Sequence, residues 1–190
     1  HFLEHMAFKG TTKRTALRIA EEIEDVGGAI NAYTGKEMTA YYARVLREDV
    51  DLALDILADI VLNPLFASPD IEVERGVILQ EIGQALDTPD DVIFDWLQEA
   101  SFPDQPFGRA ILGSSERVSA FAESDLAGFV REHYGPSQLI VSAAGAIDPD
   151  AVVRAGERLF GHLTPRPGLA VLPARFRGRE RREERDLEQA

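Results

Sequence analysis

Residues 16–46 read ALRIAEEIEDVGGAINAYTGKEMTAYYARVL, and a change of hydrophobic period inside this stretch decides the fold class. Over residues 15–26, Leu17, Ile19, Ala20, Ile23 and Val26 recur at helical spacing and form one apolar stripe, which Gly27-Gly28 bring to an end. From Ala29 the period changes. Residues 29–33 and 38–46 are rich in Tyr, Thr, Val and Ala, and Thr34-Gly35-Lys36-Glu37 between them has the length and the glycine of a hairpin connection. A helix leading into an antiparallel hairpin, without regular βαβ alternation, points to an α+β domain.

Outward from this stretch the helical periods dominate. Upstream, HFLEHMAFKG (1–10) reads as a short helix over residues 1–8, stopped by Lys9-Gly10. Downstream, residues 49–62 make a strongly amphipathic helix (Val50, Leu54, Ile56, Leu57, Ile60, Val61) closed by Asn63-Pro64. Ser68-Pro69 opens the next, with Ser68 as N-cap and Pro69 at the first helical position, running to about Leu86. Thr88-Pro89 precedes a helix over residues 90–101, and FPDQPFGRAILGS (102–114) is a loop by its proline and glycine content. Helices follow over 116–121 and 124–133, a buried strand over 137–145 (SQLIVSAAG), and a last helix over 150–160. Trp96 and the aromatics around it are expected in the core. The expected architecture is α+β, mainly antiparallel sheet packed with helices.

The chain has 190 residues, enough for one ordinary domain or slightly more, with 20 Lys plus Arg against 33 Asp plus Glu and a net charge of −13. So acidic a balance argues against nucleic acid as a partner. The longest apolar runs stop well short of a bilayer's thickness, so no membrane partner is expected. With no cysteine, disulfide scaffolds, thiolate metal clusters and Cys nucleophiles are excluded. The Arg/Glu alternation of RGRERREERDLEQ (177–189) reads as a solvated linker or strand edge. The chain opens at His1 inside a helical-looking run, so it is expected to be a piece of a longer polypeptide.

Any metal here must be held by His and carboxylates, and the histidines are His1, His5, His133 and His162. His133, at a helix end, reads as a capping or packing residue and His162 as an exposed loop residue. His1 and His5 are different: four apart on a helix, their imidazoles share one face, with Glu4 beside them. Two neutral imidazoles so placed can fill two corners of a tetrahedral Zn²⁺ site and leave a carboxylate to work on water. The pattern His-x-x-Glu-His arises by accident in a chain of this composition roughly once in a hundred, so it is a strong signal without excluding two surface histidines near a glutamate. Candidates for a third ligand lie in PDIEVERGVILQEIGQAL (69–86). Glu74 and Glu81 project within about 20° of one another on a helix, flanked by Val73 and Val77 on one side and Ile71, Ile78 and Ala85 on the other. Carboxylates on such a flank need partners, which a metal with its histidines, or Arg75 for one of them, could supply.

Four stretches, HFLEHMAFKGT, GGAINAYTGKEMTAYYARVL, NPLF and EVERGVILQEI, together resemble the pitrilysin/insulinase family of zinc metallopeptidases, in particular bacterial members similar to the β subunit of the mitochondrial processing peptidase. The resemblance runs through Phe160. It implies that His1, His5 and Glu81, which follows His5 by seventy-six positions, bind Zn²⁺, that Glu4 is the general base, and that Glu74 orients a ligand histidine. It also implies an extended peptide substrate added to the edge strand at Asn31 and Ala32. The domains it implies are residues 1–163, a zinc-binding peptidase domain lacking its first strands, and residues 164–190, a linker and the start of a final strand leading to a homologous domain. Such enzymes enclose substrate between homologous halves, on one chain or as a dimer of homologous subunits, so the 190 residues alone are expected to be inactive or poorly folded. The rival readings are a non-catalytic partner or scaffold subunit of a processing-peptidase-like complex, and an acidic interaction domain whose histidine pair is accidental.

Overall fold

The computed structural model of the chain describes residues 1–165 and 171–184. In chain order its elements are α1 (Phe2–Ala7), α2 (Ala16–Glu24), β1 (Ala29–Thr34), β2 (Thr39–Arg44), α3 (Val50–Leu62), α4 (Ser68–Asp87), α5 (Pro89–Ser101), α6 (Ser115–Ala120), α7 (Glu123–His133) and α8 (Pro149–Phe160). The α+β class holds, although helices outweigh the sheet, which among the described residues is the antiparallel pair β1–β2. Its register sets Asn31 opposite Tyr42 and Ala32 opposite Tyr41. No helix among the described residues is long and apolar enough to cross a membrane.

Two glycines make the turn from α2 into β1. Gly27 has φ of 68°, a left-handed conformation that stops the helix, and a Cβ on Gly28 would lie 2.8 Å from Val45 Cγ1 and 3.0 Å from the Ile23 carbonyl oxygen. Thr15 caps α2, its side chain accepting from the Arg18 amide. Helix α4 starts one residue earlier than the spacing suggests: Ala67 is the N-cap and Pro69 lies in the first turn, where its missing N–H costs nothing.

Two apolar clusters share α1. Phe2, Leu3 and Met6 pack with Ile71, Ile78 and Ile82 of α4, Val118 of α6 and Leu126 of α7. Ala7 packs with Ile19 and Ile23 of α2 and with Ala53, Ile56, Ile60 and Val61 of α3, against which the sheet lays Ile30, Tyr41 and Ala43. Tyr41 also meets Tyr134, hydroxyl to hydroxyl at 3.1 Å, and burial above all holds both phenols well above their ordinary pKa.

Three expectations require correction. Residues 137–145 form no strand, and Ile140 is 93% exposed. A strand needs a hydrogen-bonding neighbour, and among the described residues none pairs with this run, which instead lines an open trough of about 2140 Å³ together with β2 and parts of α3, α5 and α7. Trp96 is only half-buried and Phe94 is exposed, because α5 buries Val92 and Ala100 instead. The Arg-rich segment is exposed over its described residues, as a solvated segment should be, and it also touches α5: Arg181 lies 4.8 Å above the Trp96 ring, Arg179 and Arg181 pair with Glu99, and the Arg177 amide donates to the Ser101 carbonyl. Residues 171–184 form no strand; of the stretch 164–190, residues 166–170 and 185–190 lie outside the described residues.

Candidate metal centre

A helix of six residues does not hold itself in water, so α1 is fixed by what it buries. Phe2, Leu3, Met6 and Ala7 are all buried, which leaves His1, Glu4 and His5 half-buried on the remaining face. The i, i+4 spacing brings the two imidazoles edge to face, with ring centroids 4.6 Å apart. Helix α4 packs against α1 and delivers Glu81 to the same point.

There His1 Nε2 lies 3.3 Å from His5 Nε2 and 3.6 Å from Glu81 Oε2, and His5 Nε2 lies 3.8 Å from Glu81 Oε2. Ligand bonds of about 2.0–2.2 Å in a tetrahedral zinc site put neighbouring donor atoms about 3.3–3.6 Å apart, close to this triangle. Glu81 Oε2 and His1 Nδ1 are buried without a hydrogen-bond partner. His5 Nδ1 is 2.8 Å from Glu74 Oε2. Because an ionised carboxylate only accepts, the His5 proton sits on Nδ1 and Nε2 presents a bare lone pair. Lone pairs converging on a buried carboxylate oxygen call for a cation, and the donor set fits Zn²⁺.

Glu74 is 5% exposed. Burial alone would raise its pKa, but hydrogen bonds from Lys9, whose Nζ is 2.6 Å from Oε1, and from His5 outweigh it and hold the carboxyl below its ordinary range. Arg75 is committed elsewhere: it pairs with Glu72 and donates to the Phe121 carbonyl at 2.8 Å, so neither Glu74 nor Glu81 is its partner. The apolar flank expected around the two glutamates is one-sided. Ile71 and Ile78 are buried, whereas Val73 is 62% exposed and Val77 is also exposed.

Glu4 accepts a hydrogen bond from the Thr34 hydroxyl at the end of β1. Asn31 and Ala32 lie on the same strand, and the edge of β1 away from β2 is unpaired among the described residues; there the Asn31 side-chain oxygen accepts from the Ala32 amide at 2.8 Å. His133 stacks on Phe129 at 4.1 Å, and His162 is exposed, both away from the triangle. Sequence reasoning missed Lys9 and Thr34. Both carried a signal: Lys9 follows His5 by one helical turn, and Thr34 lies two residues beyond Ala32, on the same face of its strand.

Many known proteins are similar to this chain. The chain is 49% identical over 189 residues to an uncharacterized zinc protease of Rickettsia felis, covering 100% of this chain and 46% of that protein. It is 43% identical over 185 residues to a probable mitochondrial-processing peptidase subunit beta of Arabidopsis thaliana, covering 95% and 35%. The chain thus spans less than half the length of these relatives. Among solved structures, a protease from Helicobacter pylori superposes with a TM-score of 0.83 at 20% identity, over 94% of this chain and 44% of that one. The peptidase M16 inactive domain from Pseudomonas fluorescens gives 0.82 at 17% identity, over 90% and 42%. At those identities the likeness is one of fold. The family model described as insulinase (peptidase family M16) matches residues 1–115, the part of the chain that supplies every residue of the triangle, and the chain belongs to that family.

Proposed function

We propose that the chain is the zinc-binding part of a metalloendopeptidase that hydrolyses peptide bonds in extended, presequence-like segments. The observation that carries this reading is the convergence of His1 Nε2, His5 Nε2 and Glu81 Oε2 at 3.3–3.8 Å, with the carboxylate oxygen otherwise unpartnered. A bound zinc ion would supply Lewis acidity, acidifying water and polarising the scissile carbonyl. Glu4 is the general base: it takes a proton from the attacking water and returns it to the leaving amine. The Thr34 hydroxyl fixes one oxygen of that carboxylate and leaves the other for the proton. Glu74 keeps the His5 proton on Nδ1, so that Nε2 stays available. The substrate pairs its main chain with the free edge of β1 at Asn31 and Ala32, a mode that gives affinity with little sequence selectivity. A homologous half or subunit closes over it, a reading supported by the mitochondrial-processing peptidase subunit beta among the relatives and by their greater length.

The test uses the full-length protein with its homologous half. About one zinc per site is expected, lost in His5→Ala and in Glu81→Gln. Glu4→Gln should keep the zinc and lose about 10²-fold or more in hydrolysis of an unstructured peptide. Stoichiometric zinc in a wild-type protein without peptidase activity would instead favour a non-catalytic partner subunit, and absence of zinc would end the peptidase reading and leave the non-catalytic ones standing.

A further inference from the structure

The geometry points to Lys9 as a positioning residue that acts through Glu74 on the metal-binding nitrogen of His5, a role that rests on the zinc site proposed above. Lys9 Nζ lies 2.6 Å from Glu74 Oε1, and Glu74 Oε2 lies 2.8 Å from His5 Nδ1. Each carboxylate oxygen thus has one donor, and the group cannot rotate without breaking a bond. The ammonium comes from a fixed backbone. The Lys9 amide donates to the Met6 carbonyl at 3.1 Å, Gly10 bridges to Thr15 and Thr11 to Pro64, and the Thr11 hydroxyl donates to the buried Asp59 at 2.6 Å. Arg75, the cation next to Glu74 in sequence, is held by Glu72 and the Phe121 carbonyl, so it does not substitute for Lys9.

Removal of the ammonium leaves Glu74 Oε1 buried without a partner and frees the carboxylate to turn. The His5 ring then loses the fixed acceptor that sets its tautomer and aims Nε2 at His1 and Glu81. The cost falls on metal binding, because groups behind metal ligands typically govern about 10–100-fold in affinity.

Zinc dissociation constants of the full-length protein, measured by chelator competition at neutral pH, test this. Lys9→Met should bind zinc about tenfold more weakly or worse, and Lys9→Arg, which keeps a cationic donor, should stay within about threefold of wild type. On a Glu74→Gln background Lys9→Met should add no further loss, because Lys9 works through that carboxylate. An unchanged constant in Lys9→Met, or a loss that simply adds to that of Glu74→Gln, would overturn the assignment. Should Lys9→Met fail to fold by circular dichroism, Lys9→Gln carries the same expectation. A wild-type protein without zinc brings down the metal site itself; a wild type that binds zinc beside an unaffected Lys9→Met brings down Lys9 alone.

Discussion

Glu74 occupies a place in α4 that helical spacing gives to an apolar side chain, three residues after Ile71 and four before Ile78, both buried. A carboxylate there must be satisfied or it destabilises the fold, and Lys9 and His5 satisfy it. Glu74→Leu removes the acceptor of both Lys9 and His5, and donors left without their partner cost about 1–3 kcal/mol. The metal-free variant is therefore expected to be less stable than wild type by about 1–3 kcal/mol in urea denaturation, while zinc affinity falls about 10–100-fold. Unchanged zinc affinity beside that loss would make Glu74 a structural residue only. At this scale much of the site is legible in the sequence. His1, Glu4 and His5 are local on one helix face, and the out-of-place polarity of Glu74 and Glu81 is visible against the isoleucines of α4. Two things are not: that Lys9 is the cation for Glu74, and that Arg75 turns instead toward Glu72 and backbone carbonyls. The first depends on how α1 and α4 cross and the second on how α6 packs on α4, neither of which spacing within one element encodes; only the Arg75–Glu72 pair is local.

At the scale of elements, the centre depends on holding a six-residue helix still. Packing against both apolar clusters does part of this, and the segment that follows α1 does the rest. Arg14 reaches from it to Asp59 (3.0 Å) and Asp55 (2.6 Å) of α3 and to Glu22 (2.8 Å) of α2, while Asp59, 1% exposed, also accepts from Thr11 and Asn63. Removing one partner from a buried ion pair leaves an uncompensated charge, so Arg14→Met should lower unfolding free energy by about 3–5 kcal/mol. A change below about 1 kcal/mol in urea denaturation would show that Thr11 and Asn63 suffice for Asp59. Helices were readable because each carries its own periodicity and punctuation, as with the Gly27-Gly28 stop and the Pro69 start. Residues 137–145 were not: an apolar run with strand composition becomes a strand only beside another, and β2 lies across an open trough from it.

At the scale of the whole molecule, the candidate metal centre is local while the proposed activity is distributed. The triangle draws only on α4 and on α1 with its N-cap His1, whereas the chain spans 46% of the Rickettsia felis protein and 35% of the Arabidopsis thaliana one. The proposed zinc ligation draws only on residues of this chain, whichever further segments the proposed hydrolysis engages, which makes the metal the most direct point of contact with experiment. The measurement is the crystal structure of the zinc-loaded full-length protein, with anomalous diffraction recorded at the zinc edge. One anomalous peak is expected about 2.0–2.2 Å from His1 Nε2, His5 Nε2 and a Glu81 oxygen, with Glu74 bonded to His5 Nδ1 and not to the metal. A peak ligated by Glu74 in place of Glu81, or no peak between the two histidines, would contradict the proposed zinc site.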